Sequence, residues 1–160
     1  MIGFRAILIA AVSIVTGVSS SKSCHNGASV KGNAATTITK ISYSTTGGRG
    51  GNYESLNVTA DSLVYLQARR GEEKTTSEKT PTDIWRQLVT SIKLDDFDRI
   101  KSNPGHALYD GIDTTLSIES AAKTRILVNG NEDPDNYKRI KPFTELLEKT
   151  VAEQRRKIVW

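Results

Sequence analysis

Thirteen consecutive residues, Ala6 to Val18, carry no charge and are almost all apolar, and they decide how much of the chain is left to build a fold. A bilayer-spanning helix needs about 20 apolar residues, so the run is too short to cross a membrane. It has no polar face either, and a helix apolar all round needs a larger protein to cover it. Met1 to Arg5 ahead of it bring one positive charge, and a short basic stretch followed by an apolar core is the pattern of a secretory leader. The folded unit is therefore expected to begin behind it.

Two cleavage readings follow. Val18-Ser19-Ser20 places small residues where an ordinary signal peptidase reads them, which would release a soluble secreted or periplasmic protein. Alternatively, Ser21-Lys22-Ser23-Cys24 resembles the lipobox of bacterial lipoproteins, which implies that Cys24 is the first mature residue and carries the lipid. Cys24 is the single cysteine of the chain, and a free thiol in an oxidising compartment would otherwise need its own explanation, so the second reading is favoured. One cysteine also excludes an intrachain disulfide framework and a cysteine-built zinc site. The expected organisation is a signal peptide over 1–23, a flexible tether over 24–37 rich in small polar residues, and a single domain over 38–157.

The formal charge of +4 invites a nucleic-acid reading until the charges are placed. Arg5 and Lys22 belong to the leader, Lys31 to the tether, and Arg155, Arg156 and Lys157 to the C-terminal end. Between 38 and 154, 16 cations face all 18 acids. The basic excess belongs to the ends of the chain and gives no support to nucleic-acid binding.

Within the domain, alternation of β-branched and aromatic residues predicts a strand over 36–45, with Thr37, Thr39, Ile41, Tyr43 and Thr45 on one face. Gly47-Gly48-Arg49-Gly50-Gly51 breaks it. Leu56 and Val58 mark a second strand, and Leu63 to Arg69 a third that runs into the charged, hairpin-like stretch Arg69 to Lys74. Thr80 is expected to cap a helix with Pro81 at its first position, burying Ile84, Trp85, Leu88, Val89 and Ile92. Leu94, Phe97 and Ile100 continue the apolar stripe. Residues 112–119 and 123–128 read as a β-hairpin, and Pro142 opens a last helix with Phe143, Leu146, Leu147 and Val151 inward. The fold class is α+β: an antiparallel sheet of about five strands with two to three helices on one face, in the order βββ-α(α)-ββ-α.

Ile41-Ser42-Tyr43, the glycine pair beyond it, Trp85 through Leu88, Leu94-Asp95-Asp96-Phe97, Tyr109-Asp110-Gly111 and Phe143-Thr144-Glu145-Leu146-Leu147 together resemble small envelope lipoproteins of Gram-negative bacteria. The resemblance implies an envelope location and brings no activity with it. The strand followed by Gly-Gly and the order of elements also resemble emfourin, a protein inhibitor of thermolysin-type metalloproteases. That likeness makes Gly47, Gly48, Arg49 and Gly50 the candidate partner-binding loop.

Chemistry-bearing patterns are sparse. The glycine-rich segment lacks the Lys-Ser/Thr and following helix of a phosphate loop and reads as a strand connection. Asp95, Asp96, Asp98, Asp110 and Asp113 could gather around a hard cation, but neither Asp96-Phe97-Asp98 nor Asn129 to Asp133 has EF-hand spacing. His25 lies in the tether, so nucleophilic or acid–base chemistry would have to use His106, and no Gly-x-Ser-x-Gly elbow accompanies it. Trp85 reads as core. For Trp160 behind Arg155-Arg156-Lys157, membrane contact and docking on the sheet stand beside the favoured reading, cations serving the dipole of a helix end. The expectation is a non-enzymatic domain without metal or cofactor, anchored through Cys24, that binds an envelope protein; the alternatives are a metalloprotease inhibitor or a hydrolase or lyase using carboxylates with His106.

Overall fold

The computed structural model describes residues 37–48 and 50–160. The leader, Cys24, nearly all of the tether, and Arg49 lie outside the described residues.

Six strands form one antiparallel sheet: β1 (Ile38–Gly47), β2 (Asn52–Val58), β3 (Ser62–Arg69), β4 (Glu72–Lys79), β5 (Ile112–Ser120) and β6 (Thr124–Val128), in the spatial order β4-β3-β2-β1-β5-β6. Helix α1 (Thr82–Ser91) and the single turn α2 (Leu94–Phe97) connect β4 to β5. A short α3 (Pro134–Tyr137) and the long α4 (Lys141–Arg155) follow β6. The α+β class is as expected, and the charged stretch after Arg69 forms a sixth strand. Its sequence, EEKTTSEK, has no apolar face. It is placed by the two-residue turn Arg70-Gly71, both with positive φ (51° and 83°), the geometry that returns a strand on itself with the natural twist.

One face of the sheet carries the core. Register brings Ile41, Val58, Leu63 and Ile118 into line, and Tyr43, Leu56, Tyr65, Leu116 and Leu127 into the next line. Against them lie Leu88 and Ile92 from the α1 segment, Phe97 and Ile100, and Ile140, Phe143, Leu147 and Val151 from the α4 segment. The last four recur every three or four residues, so one side of the helix meets the sheet. Trp85, Ile84 and Val89 pack against this core as expected.

Two local expectations are corrected. The register shifts between Ile38 and Lys40, a bulge that takes Thr39 off the inner face and lets Ile38 and Ile41, three residues apart, both be buried. Thr80 does not cap α1. Pro81 itself precedes the first turn, its carbonyl accepting from the Trp85 amide at 3.1 Å. Thr80 is instead buried, with its hydroxyl unpartnered. A buried hydroxyl without a hydrogen bond costs stability. Thr80→Val is therefore expected to raise the unfolding free energy by about 1 kcal/mol, read as a higher urea midpoint at unchanged slope.

Candidate functional site

The apolar lines of the inner face end before the sheet does. One step toward the β1–β2 connection, register places Gln67, Glu54, Thr45 and Thr114 side by side; the next step reaches Asn52, Gly47 and Ile112. Around this polar apron a cleft of about 720 Å³ opens, lined among others by Gly50, Asn52, Glu54, Gln67, Arg69, Arg70, Arg155 and Trp160.

Its floor is a closed hydrogen-bond system. Arg155, at the end of α4, donates from Nη2 to Glu54 Oε1 at 2.6 Å and Oε2 at 2.9 Å, and from Nε to Oε2 at 3.1 Å. The Tyr65 hydroxyl donates to the same Oε2 at 2.8 Å. Burial, with the hydrogen bond to Glu54 adding, pushes the Tyr65 phenol up to about 12, and burial, with the Glu54 and Glu148 charges adding, does the same to Tyr43. The bonds to Glu54 push the Arg155 guanidinium further up from its already high value. Both phenols are protonated at neutral pH, and both Glu54 oxygens are engaged. The group is a clamp between helix and sheet, with no free base or acid on offer.

The cleft wall on the β3–β4 side is the C-terminal segment. Lys157 Nζ donates to both oxygens of Glu78 at 2.7 Å, Gln154 Nε2 donates to Glu78 Oε1 at 2.6 Å, and Lys74 Nζ donates to the Val159 carbonyl. Trp160 Nε1 donates to Gln67 Oε1 at 3.1 Å, with the Arg69 guanidinium 5.4 Å and the Lys74 ammonium 5.0 Å from its ring. These contacts correct the helix-end reading: Arg155 and Lys157 meet carboxylates of the sheet, and Trp160 docks there as well.

Beside the end of β1, outside the lining of the cleft, sits a 3₁₀ turn, His106–Tyr109. It is stapled to β5 by the Asp113 carboxylate, which accepts from the amides of Gly105, His106 and Ala107 at 3.2, 3.0 and 3.4 Å and from Asn129 Nδ2 at 2.6 Å. These bonds, led by Asn129, hold the Asp113 carboxyl below its ordinary value. The turn meets the glycine-rich connection directly: Gly48 N donates to Gly111 O at 2.8 Å. A Cβ on Gly47, whose φ is 119°, would lie 2.2 Å from that same oxygen. Glycine there is a condition of close approach.

Of the candidate loop, Gly47 ends β1, Gly48 braces the turn and Gly50 lines the cleft, while Arg49 is outside the described residues. The acids considered for a cation site are dispersed. Asp98 pairs with Lys123 and Arg125, Asp96 with Arg139, and Asp113 holds the turn. Among the described residues no group of three His, Cys, Asp or Glu side chains is placed to hold a metal. His106 Nε2 lies 3.2 Å from Glu132 Oε1, and none of the three described clefts is lined by it. Sequence reasoning missed the exposed pair Leu108-Tyr109, for which the available signal was two large apolar residues in a segment without periodicity. It also missed Arg69 and Lys74, which only register and the returning tail bring to Trp160.

The chain matches no family model and no curated protein.

Two outcomes check the clamp and the tail. Removing one partner of a buried ion pair costs about 3–5 kcal/mol; with the Arg155 side chain 46% exposed, Arg155→Met is expected to cost less, about 1–3 kcal/mol in urea denaturation. The Lys157 and Gln154 bonds lower the Glu78 pKa from 4.5. Its contribution is thus present above that value and lost as pH falls through the folded-state pKa. Trp160 fluorescence in a Trp85→Phe background should report tail release below pH 4.5, and Glu78→Gln should loosen the tail already at pH 7.

Proposed function

We propose that the chain is a lipid-anchored protein of the cell envelope, held through Cys24 and the 24–37 tether, whose folded unit is a non-enzymatic binding domain for another protein. What carries the reading is the uncovered end of the inner sheet face. It is a wide cleft whose central ionisable groups are bound to one another, flanked by a glycine-rich hairpin and by Leu108, Tyr109 and Ile112, which are 81, 88 and 57% exposed. A catalytic cleft needs a group free to take or give a proton, or a nucleophile with a base beside it. A protein-binding surface needs exposed apolar anchors beside polar groups already satisfied, and the apron has that composition. The leader and lone cysteine support the location. No helix among the described residues is long and apolar enough to cross a membrane, and in this reading lipid supplies the hold.

The test uses the full-length chain expressed in a Gram-negative envelope. Labelled palmitate should enter the wild type and be lost in Cys24→Ala; no label on the wild type removes the anchor. A photo-crosslinking residue at Gly50 or Leu108 should give a protein adduct that the same residue at exposed Ser77 does not. Absence of adducts at both apron positions would overturn the binding reading.

A further inference from the structure

The cationic rim of the cleft and the apolar residues beyond Gly47 differ in chemistry, and the difference specifies a ligand. On the β3–β4 side stand Arg69, Arg70 and Lys74. None of the three makes a salt bridge among the described residues, although the neighbouring Arg155 and Lys157 both do. Arg69 and Lys74 are held at the Trp160 ring, and Arg70 occupies a left-handed turn position (φ 51°) that glycine or asparagine fills at lower cost. The cleft lining holds Arg69 and Arg70, with Lys74 beside it at the Trp160 ring, and its acids are Glu54, neutralised by Arg155, and Glu72. Beside the cleft, toward β5, Leu108 and Tyr109 face water on a turn that Asp113 fixes in place, and Ile112 faces water at the start of β5. A backbone already fixed confines the ordering cost of their burial to the side chains themselves.

We infer that the apron binds an acidic segment of a partner protein, laid across the strands, with its carboxylates on Arg69, Arg70 and Lys74 and an apolar side chain on Leu108, Tyr109 and Ile112. The inference rests on the protein-binding reading above and specifies its ligand. Charge complementarity selects the acidic end. The spacing follows from the sheet: Arg69 on β3 and Ile112 on β5 are separated by β2 and β1, so they lie three strand intervals apart. At about 4.8 Å per interval that is roughly 14 Å, which an extended chain rising about 3.3 Å per residue crosses in about four residues. The recognised pattern is therefore two or three acids followed or preceded, about four positions away, by Leu or Phe.

The test is fluorescence anisotropy of labelled synthetic peptides against the full-length chain. A peptide with Glu-Asp-Glu and Phe four residues apart is expected to bind at least tenfold tighter than a peptide of the same composition with the acids and Phe adjacent. Arg69→Glu combined with Lys74→Glu should weaken it at least tenfold, as should Leu108→Ser combined with Tyr109→Ser. All four positions are outside the core, and an unchanged urea midpoint verifies the fold. Equal binding of both peptides, no effect of either double substitution, or no peptide binding at about 1 mM would overturn the inference. So would binding of phosphatidylglycerol vesicles in place of peptide, which would reassign the cations to a lipid surface. If Gly50 and Leu108 crosslinks form but acidic peptide does not compete with them, this inference falls and the binding-domain reading stands; if no crosslinks form, both fall.

Discussion

The bond between Arg155 and Glu54 sets where the helical layer stops. Glu54 is buried on a central strand, so its charge requires a partner that reaches it from above. Arg155 does so from the last residue of α4, and its fork accounts for both carboxylate oxygens while Tyr65 adds a third donor. The helix is thereby pinned at its end, with Phe143, Leu147 and Val151 fixed over the apolar lines of the sheet. Beyond the pin no α-helix among the described residues covers the remaining rows, which carry Gln67, Thr45, Thr114, Asn52 and, at the β5 end, Ile112. The same contact that completes the core defines the apron.

The rest of the cleft is built on that boundary. Past Arg155 the chain turns to lie along β3 and β4, where Glu78 holds Lys157 and Gln67 holds Trp160. Gln154 is the hinge between the two systems, buried, giving its amide hydrogen to Glu78 and accepting from Thr76 at 3.2 Å. Glu54, Gln67 and Gln154, all buried, each have a partner, which is the condition for placing them beside an apolar core. On the far side Asp113 and Asn129 play the equivalent part. Asn129 Oδ1 accepts from Thr114 N at 2.8 Å, extending the β5–β6 ladder by a side chain and carrying the sheet into the 3₁₀ turn.

Elements with an internal period were legible from residue order. Strands β5 and β6 alternate, α1 and α4 repeat every three or four residues, and the period selects Leu88, Phe143, Leu147 and Val151 among the buried residues, while Leu146 is only partly buried and Thr144, Thr150 and Gln154 are buried without being expected. β4 has no period because it is an edge strand with few buried atoms, and it exists because a two-residue turn delivers it to β3. The bulge at Thr39 was equally hidden, since it depends on the partner strand β5 and not on β1 alone. Of the candidate site, the glycine-rich connection could be located because glycine reports its own backbone. The cleft it borders could not. Its decisive contacts join Glu54 to Arg155 and Gln67 to Trp160, separations of 101 and 93 residues, and no local pattern encodes such pairs.

The edges of the sheet explain why recognition falls to its end. A partner could in principle add a strand to β4 or β6, the commonest way a sheet binds a peptide. β6 is blocked at its C-terminal part, where Asn103 N donates to Val128 O and Ser102 Oγ accepts from Val128 N. β4 leaves its edge open but arms it with Glu72, Glu73, Glu78 and Lys79, the charged pattern that discourages edge pairing. The outer face carries Ser42, Ser44, Asn57, Thr115 and Ser117 along its centre, with Val64, Leu66 and Ile126 toward its sides. Among the described residues the apron joins an indentation and cations without a salt bridge to exposed apolar residues beside it. A partner that met it would cross the strands instead of extending them, and it would be selected by side-chain spacing across the sheet, not by backbone hydrogen bonding along it.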